Sequence, residues 1–351
     1  MRLRWHRGLA LGLLVLFLVS LSATQGRIAK VRQEGNYRGA GLPIERLAEL
    51  PVQDLSLVTI GAILGGFRSV VANILWLKCD EYWHQGRVFR LVPLAKAVVL
   101  LEPHFIEAWR ITAWHLAYNM SVEAPTPEKA REYIEMGLKF LEEGIKWNPD
   151  RYELFFELGW TYYDKLNEYE KAAAIFQQAL QKKDEFGSRP PTYIWRMIAH
   201  AYERYPRIDE AVRWWQIDAQ VEPDHPVHRG ALQTIHERYV RAWEHFERGE
   251  LDEAMAALLE DWQKDDPYDT IGMHFKARIY ERKQDIDRAI ETWFEAARHS
   301  AVDKLARRRV IELCRLTGRP LPQGINDVGL PTEVRDEWDR WFQENLGRHA
   351  P

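Results

Sequence analysis

Cysteine is almost missing: Cys79 and Cys314 are the two thiols in 351 residues. A disulfide scaffold and a cysteine-based zinc cluster are excluded on that count. Positive charge is not in excess either. Lysine and arginine number 48 against 52 acidic residues, for a formal net charge of −4, which disfavours a broadly basic nucleic-acid binder. The short signatures of chemistry are missing too. No HExxH, CxxCH, GxSxG elbow or Gly-rich phosphate loop occurs, and no stretch alternates apolar and polar residues as a half-buried strand does. What remains is a folded helical chain, 46% hydrophobic and 28% charged, expected to be non-catalytic and to hold neither metal nor organic cofactor. Its one compositional excess is tryptophan, 15 residues, and the places those indoles take are the main clue to function.

An uncharged run does occur at the N-terminus. Arg2, Arg4 and Arg7 precede Leu9–Ala23. A helix of that length rises about 22 Å, somewhat short of a roughly 30 Å hydrocarbon core. Gly8, Thr24 and snorkelling arginines extend it, and Trp5 suits the interface. Residues 1–25 therefore read as a membrane anchor, with a cleaved signal peptide as the competing reading. A short basic stub stays inside, which puts the remainder outside the cytoplasm. Residues 26–54, with Gly35, Gly39 and Gly41, read as a linker. Leu55–Leu77 is apolar again, but Arg68, Asn73 and the Gly65-Gly66 pair inside it favour a buried helical entry over a second span.

From about residue 72, helical patterns alternate with short turns and repeat with a period near 34 residues. One copy carries Leu158-Gly159, Tyr162, Ala172, Phe176 and Ala179, with one extra residue in its turn. The next carries Trp195, Ala199, Tyr202, Ala211, Trp215 and Pro223. A fifth has Ala242, Gly249, Leu251, Ala254 and Leu258, and a sixth has Ala277, Tyr280, Asp285-Ile286, Ala289, Trp293 and Ala296. The first two are degenerate: 72–105 keeps Tyr82, Gly86 and Pro103, while 106–149 keeps Trp109, Ala113, Gly137, Leu141, Gly144 and Pro149 around the insertion MSVEAPTPEKA. Small residues let the two helices of a pair approach, aromatics fill the gaps between pairs, and proline stops the second helix. Each pair has an apolar face that only a neighbour can cover.

This pattern resembles the tetratricopeptide repeat over roughly residues 72–303. The resemblance implies an all-α fold: a right-handed solenoid of about six helix pairs over 55–303, with capping helices in 304–351, preceded by the transmembrane helix. The stretch around 64–122 is similar to bacterial membrane-associated tetratricopeptide proteins of poorly defined role. That similarity implies a bacterial source and, with the anchor, a single-pass inner-membrane protein whose soluble part is periplasmic.

In such repeats the first helix of each pair lines the concave face through set positions. Carried over residue by residue, the fifth positions are Trp76, Arg110, Phe156, Arg196, Tyr239 and His274. The ninth are Asp80, Trp114, Trp160, His200, Trp243 and Arg278, and the twelfth are Trp83, Ala117, Tyr163, Glu203, Phe246 and Glu281. Apart from Asp80, Ala117, Glu203 and Glu281, these are the candidate partner-binding residues, an aromatic face with Arg and His suited to a protein or peptide. The same side chains also suit a tightly wound superhelix in which they pack on one another, or a face occupied by the chain's own tail. A scaffold that binds a protein partner therefore stands beside a periplasmic carrier of glycan or lipid and a structural subunit of a membrane complex. Exposed apolar positions on the second helices, such as Trp214 or Trp262, favour the subunit, and a pocket closed by residues 121–128 favours the carrier.

His225 and His228 read as loop residues that cap the next helix rather than metal ligands. Arg307-Arg308-Arg309 reads as a solvated helix face, and the two cysteines as small core residues. Asp303–Thr317 is expected to cap the array, turning Leu305, Val310, Ile311, Leu313 and Cys314 inward. The amphipathic stretch Pro331–Leu346 is expected to dock on that cap or beside Phe246 and His274.

Overall fold

The structure is a computed structural model that describes residues 68–184, 186–262, 266–267, 269–300 and 303–325. The expected anchor, the linker, residues 55–67 and the helix at 331–346 lie outside the described residues. Among the described residues every regular element is helical, the one exception being an isolated bridge between Arg151 and Lys183. None of those helices is long and apolar enough to cross a membrane.

Helices alternate with turns as the sequence period requires, giving six hairpins and one further helix. The first hairpin is α1 (Arg68–His84) and α2 (Val88–Leu101); the second is α3 (Ile106–Trp114), continued by a π-helical turn His115–Met120, and α4 (Pro127–Trp147). The third is α5 (Tyr152–Thr161), continued by the π turn Tyr162–Leu166, and α6 (Tyr169–Ala179). The fourth is α7 (Tyr193–Arg204) and α8 (Ile208–Val221). In the fifth, α9 (Pro226–Ile235), a π turn His236–Val240 and α10 (Arg241–Glu247) form one rod, followed by α11 (Leu251–Asp261). The sixth is α12 (Thr270–Arg282) and α13 (Ile286–His299), and α14 (Lys304–Thr317) follows.

Local chemistry explains the ends. Asp269, Asp285 and Asp303 each accept a backbone N–H as the N-cap of α12, α13 and α14. Gly318, at φ 65°, closes α14 in the left-handed conformation that glycine adopts without strain. His225 caps α9 as expected, its Nδ1 accepting from Val227 N at 3.4 Å. The extra residue expected in the third turn lies earlier: it is absorbed by the π turn Tyr162–Leu166, which ends at Asn167 with φ 52°. Helix pairs meet through small residues. A Cβ added at Gly159 would fall 2.8 Å from the Phe176 ring, and one at Gly144 would fall 2.9 Å from Trp109, so a larger residue at either place would force the pair apart.

The chain divides into two compact units. Of the described residues the first holds 68–116 and 139–149, and the second holds 117–138 and 150–325. Unit 1 is fastened around Pro103, whose carbonyl oxygen accepts the Trp109 indole N–H at 2.9 Å and the Asn148 amide at 2.8 Å. Unit 2 buries Trp215, Trp262, Trp293, Phe176 and Phe275 completely.

Unit 2 also closes on itself. The carbonyls that end the first helices of the third and fourth hairpins have no partner within their own helices, and cations from much later in the chain supply one. Arg308 donates to Leu166 O at 2.8 Å and to Asn167 O at 3.0 Å. Lys304 donates from Nζ to Lys165 O and from its backbone N–H to Asn167 Oδ1 at 2.9 Å. Arg278 donates to Pro206 O. His274, fully buried, stands between Arg204 O (Nδ1, 3.1 Å) and Asp303 Oδ2 (Nε2, 2.7 Å). Positive groups at helix C-termini also suit the helix dipole.

The expectation of a solvated Arg307-Arg308-Arg309 face is corrected here. Arg307 is exposed, but Arg308 is buried on the carbonyls just named, and Arg309 is half-buried between Glu281 and Glu312. The five apolar residues expected to face inward on α14 are all buried.

Candidate functional site

In unit 1 the four candidates make mostly local contacts. Trp76 is half-buried edge-on to Phe105, 5.5 Å between centroids. Trp83 covers His115 at 3.9 Å, and Arg110 pairs with Glu107 at 2.8 Å. Trp114 is 44% exposed, its ring 5.3 Å from His115. Burial pushes the His115 imidazole down to about 4, against a smaller opposing pull from Asp80.

Unit 2 carries the remaining ten, and they split into two rows. The first row lies on α5, its π turn and α7. Phe156 and Trp160 stack at 6.4 Å and 16°, and Trp160 and Tyr163 at 5.7 Å and 19°. Tyr193, 38% exposed, meets Phe156 edge-on at 5.0 Å. The three stacked rings are half-buried, a ladder with one side open. Arg196 and His200 flank it, and each is paired within the fold. Arg196 donates to Asp218 Oδ1 at 3.1 Å and to Glu222 Oε2 at 2.7 Å, and that bond holds the Glu222 carboxyl below its ordinary range. His200 pairs with Glu203 at 2.9 Å.

The second row lies on the fifth and sixth hairpins and corrects the expectation of an open face. Tyr239, Trp243, Phe246 and His274 are all buried. Tyr239 donates to Asp269, and burial together with that carboxylate raises its hydroxyl well above the ordinary value. Trp243 lies 5.3 Å from Phe246 and 5.6 Å from Phe275. Arg278 lies over three rings, Tyr205 at 5.0 Å, Phe246 at 5.7 Å and Trp243 at 6.0 Å. The physical reason is the closure of unit 2: the arginine and aromatics that suit a partner are one another's partners.

Some residues that organise this face were missed by sequence reading. Glu203 accepts the Trp215 indole N–H at 2.5 Å, and Glu281 accepts that of Trp293 at 2.5 Å, each across twelve residues. The signal was available, a glutamate at the twelfth position and a tryptophan twelve residues on in both the fourth and sixth copies. Trp262 is buried and Trp214 half-buried, whereas Phe89 on α2 and Val221 on α8 are exposed apolar positions on second helices. A cleft lined by Phe294, Ala297, Arg298, Arg307, Gly324 and Ile325 holds about 100 Å³, against the roughly 300 Å³ or more typical of small-molecule sites. Among the described residues no group of three or more His, Cys, Asp or Glu is placed to hold a metal.

Residues 152–181 match the tetratricopeptide repeat family. That segment is the third hairpin, which carries the aromatic ladder. No curated protein matches the chain. Among solved structures it is similar to TTC0263, a thermophilic tetratricopeptide protein of Thermus thermophilus, at 20% identity, covering 61% of this chain and 98% of that one with a TM-score of 0.35. A tetratricopeptide protein of Parabacteroides merdae ATCC 43184 is 13% identical over 78% of this chain and 98% of its own, with a TM-score of 0.36. PilW, a type IV pilus biogenesis factor, is 15% identical over 65% of this chain and 92% of its own, with a TM-score of 0.33. Likenesses of this size say nothing about partner or role.

Proposed function

We propose that this chain, a tetratricopeptide repeat protein, is a non-catalytic scaffold that binds a protein partner through the α5–α7 face. Its N-terminal segment holds it at a bacterial inner membrane, with the repeats in the periplasm. One observation carries the reading: the stacked, half-exposed ladder Phe156–Trp160–Tyr163, joined by Tyr193. Stacked aromatics offer large apolar area at little entropic cost. Because Arg196 and His200 are paired internally, the partner is held by apolar contact and not by a carboxylate clamp, which fits a segment with apolar side chains.

The test is a photo-crosslinking amino acid placed at position 160 or 243, irradiated in native membranes. Position 160 should capture a discrete partner and position 243 should not. With that partner in hand, Trp160→Ala should weaken binding by about 1–3 kcal/mol, roughly ten- to a hundredfold. If Trp160→Ala unfolds unit 2 while the folded fraction still captures the partner at full strength, the ladder is packing and the reading fails.

A further inference from the structure

The seam that closes unit 2 gathers more positive charge than its hydrogen bonds require. Lys304 opens α14, is exposed, and donates from Nζ to Lys165 O. Around that amine stand three other cations. Lys165 holds its own ammonium 4.2 Å from the Tyr118 ring centroid. Arg131, on α4, is paired with Glu135 at 2.8 Å. Arg308, one turn along α14, sits on the Leu166 and Asn167 carbonyls and lies 3.8 Å from Glu168. Asp164 acts on the amine in the opposite sense. Crowding by protein and the charges of Lys165, Arg131 and Arg308 outweigh Asp164 and push the Lys304 amine down to about 8. Burial of the repeats does not need a lysine of this kind, since the Lys165 carbonyl would accept from any donor.

We propose that Lys304 is a site of covalent acylation by small anionic acyl donors, acyl phosphates in particular, and that its acylation loosens α14 from the turn at residues 165–168. Two features of the seam combine. A lysine amine crowded by other cations is free to act as a nucleophile. The same cations draw in a doubly charged donor and stabilise the negative charge that develops on the acyl oxygen and the departing phosphate. In the step, Nζ forms a bond to the acyl carbon and the bond from that carbon to the bridging phosphate oxygen breaks, with phosphate taking the electron pair. Of the three ammonium protons, one stays on the amide, one leaves on the phosphate and one goes to solvent. The product nitrogen has no charge, so the Lys165 carbonyl loses its cation.

The test uses the intact protein and acetyl phosphate near pH 7.4, with acetylation at each lysine followed by peptide mass spectrometry. Lys304 should react about tenfold faster than the exposed Lys96 and Lys139. Lys165→Met keeps the accepting carbonyl and removes one cation, so it should slow Lys304 severalfold and leave Lys96 and Lys139 unchanged. In the acetylated protein, amide exchange should quicken at 163–168 and 303–308 and not elsewhere. Equal rates at Lys304 and Lys139, or an unaltered Lys304 rate in Lys165→Met, would overturn the site. Full acetylation with unchanged exchange would overturn the loosening.

Discussion

Trp160 and Trp243 hold the same place in their repeats and meet opposite fates. Trp160 is half-buried in a stack with one side open, whereas Trp243 is 5% exposed among Phe246, Phe275 and Arg278. Residue type and repeat position are the same in the two rows, so neither decides exposure. The difference lies in what each ring meets: Trp243 lies among Phe246, Phe275 and Arg278, whereas Trp160 stacks between Phe156 and Tyr163. The donors that tighten unit 2 lie far from the carbonyls they reach: 70 residues from Arg204 to His274, and 142 from Leu166 to Arg308.

Three measurements would break or sharpen that contrast. The largest effect is expected from truncating the two indoles. Trp243→Ala should cost about 3–5 kcal/mol of unfolding free energy, as for a fully packed aromatic, and Trp160→Ala less than about 1.5 kcal/mol. Chemical denaturation of both variants checks this, and equal costs would erase the distinction between the rows.

The second measurement is an acid titration that separates the two units. His115 in unit 1 is held down at about 4 from an ordinary 6.5. Between those values the unfolded chain takes up the proton and the folded one does not. Stability of unit 1 should therefore fall as pH drops through that window, by up to about 1.4 kcal/mol per pH unit. Asp303 in unit 2 acts in the same direction over a lower window: burial pushes its carboxyl up, but its bond to His274 and the charges around it prevail and hold it below the ordinary 3.8. Its contribution is complete above that value and is lost only as pH falls below it. Amide exchange followed against pH should therefore quicken in 106–116 before it quickens in 303–308, and His115→Phe should remove the earlier change.

The smallest effect is expected from Arg308→Met, which keeps the packing stem and removes the donor to two carbonyls. A loss of about 1–3 kcal/mol is expected, together with greater acrylamide quenching of tryptophan fluorescence as the second row opens. Unchanged quenching would mean that the closure is held by packing alone.

How far the sequence reached follows from the range of each interaction. The hairpins, the small residues at Gly144 and Gly159 and the inward face of α14 all depend on residues within about forty positions of one another, and periodicity reports on that range. The aromatic ladder was legible for the same reason, since Phe156, Trp160 and Tyr163 follow one another along a single rod. The closure was not. Whether Arg308 points to water or to the end of α5 depends on a superhelical pitch to which every hairpin contributes, and no local pattern encodes it. Arg196 shows the same limit at a single residue: its chain position offered a free cation, but Asp218 and Glu222 already bind it.

The three π-helical turns, at His115–Met120, Tyr162–Leu166 and His236–Val240, have a consequence of a different kind. A wide turn holds one more residue than an α-helical turn, and every side chain beyond it is swung by about 100° from where an unbroken helix would point it. Such a turn is an insertion that the rod has absorbed. Because each hairpin restarts at its own cap, the swing is confined to the helix that contains it and does not carry into the next. The third hairpin takes its extra residue at Tyr162–Leu166, yet α6 begins at Tyr169 and α7 at Tyr193 with Ala172, Phe176 and Ala199 still buried. The array is thus built in error-confining blocks: a single added residue can re-aim one rung of the inner face and leave the rest of the molecule in step.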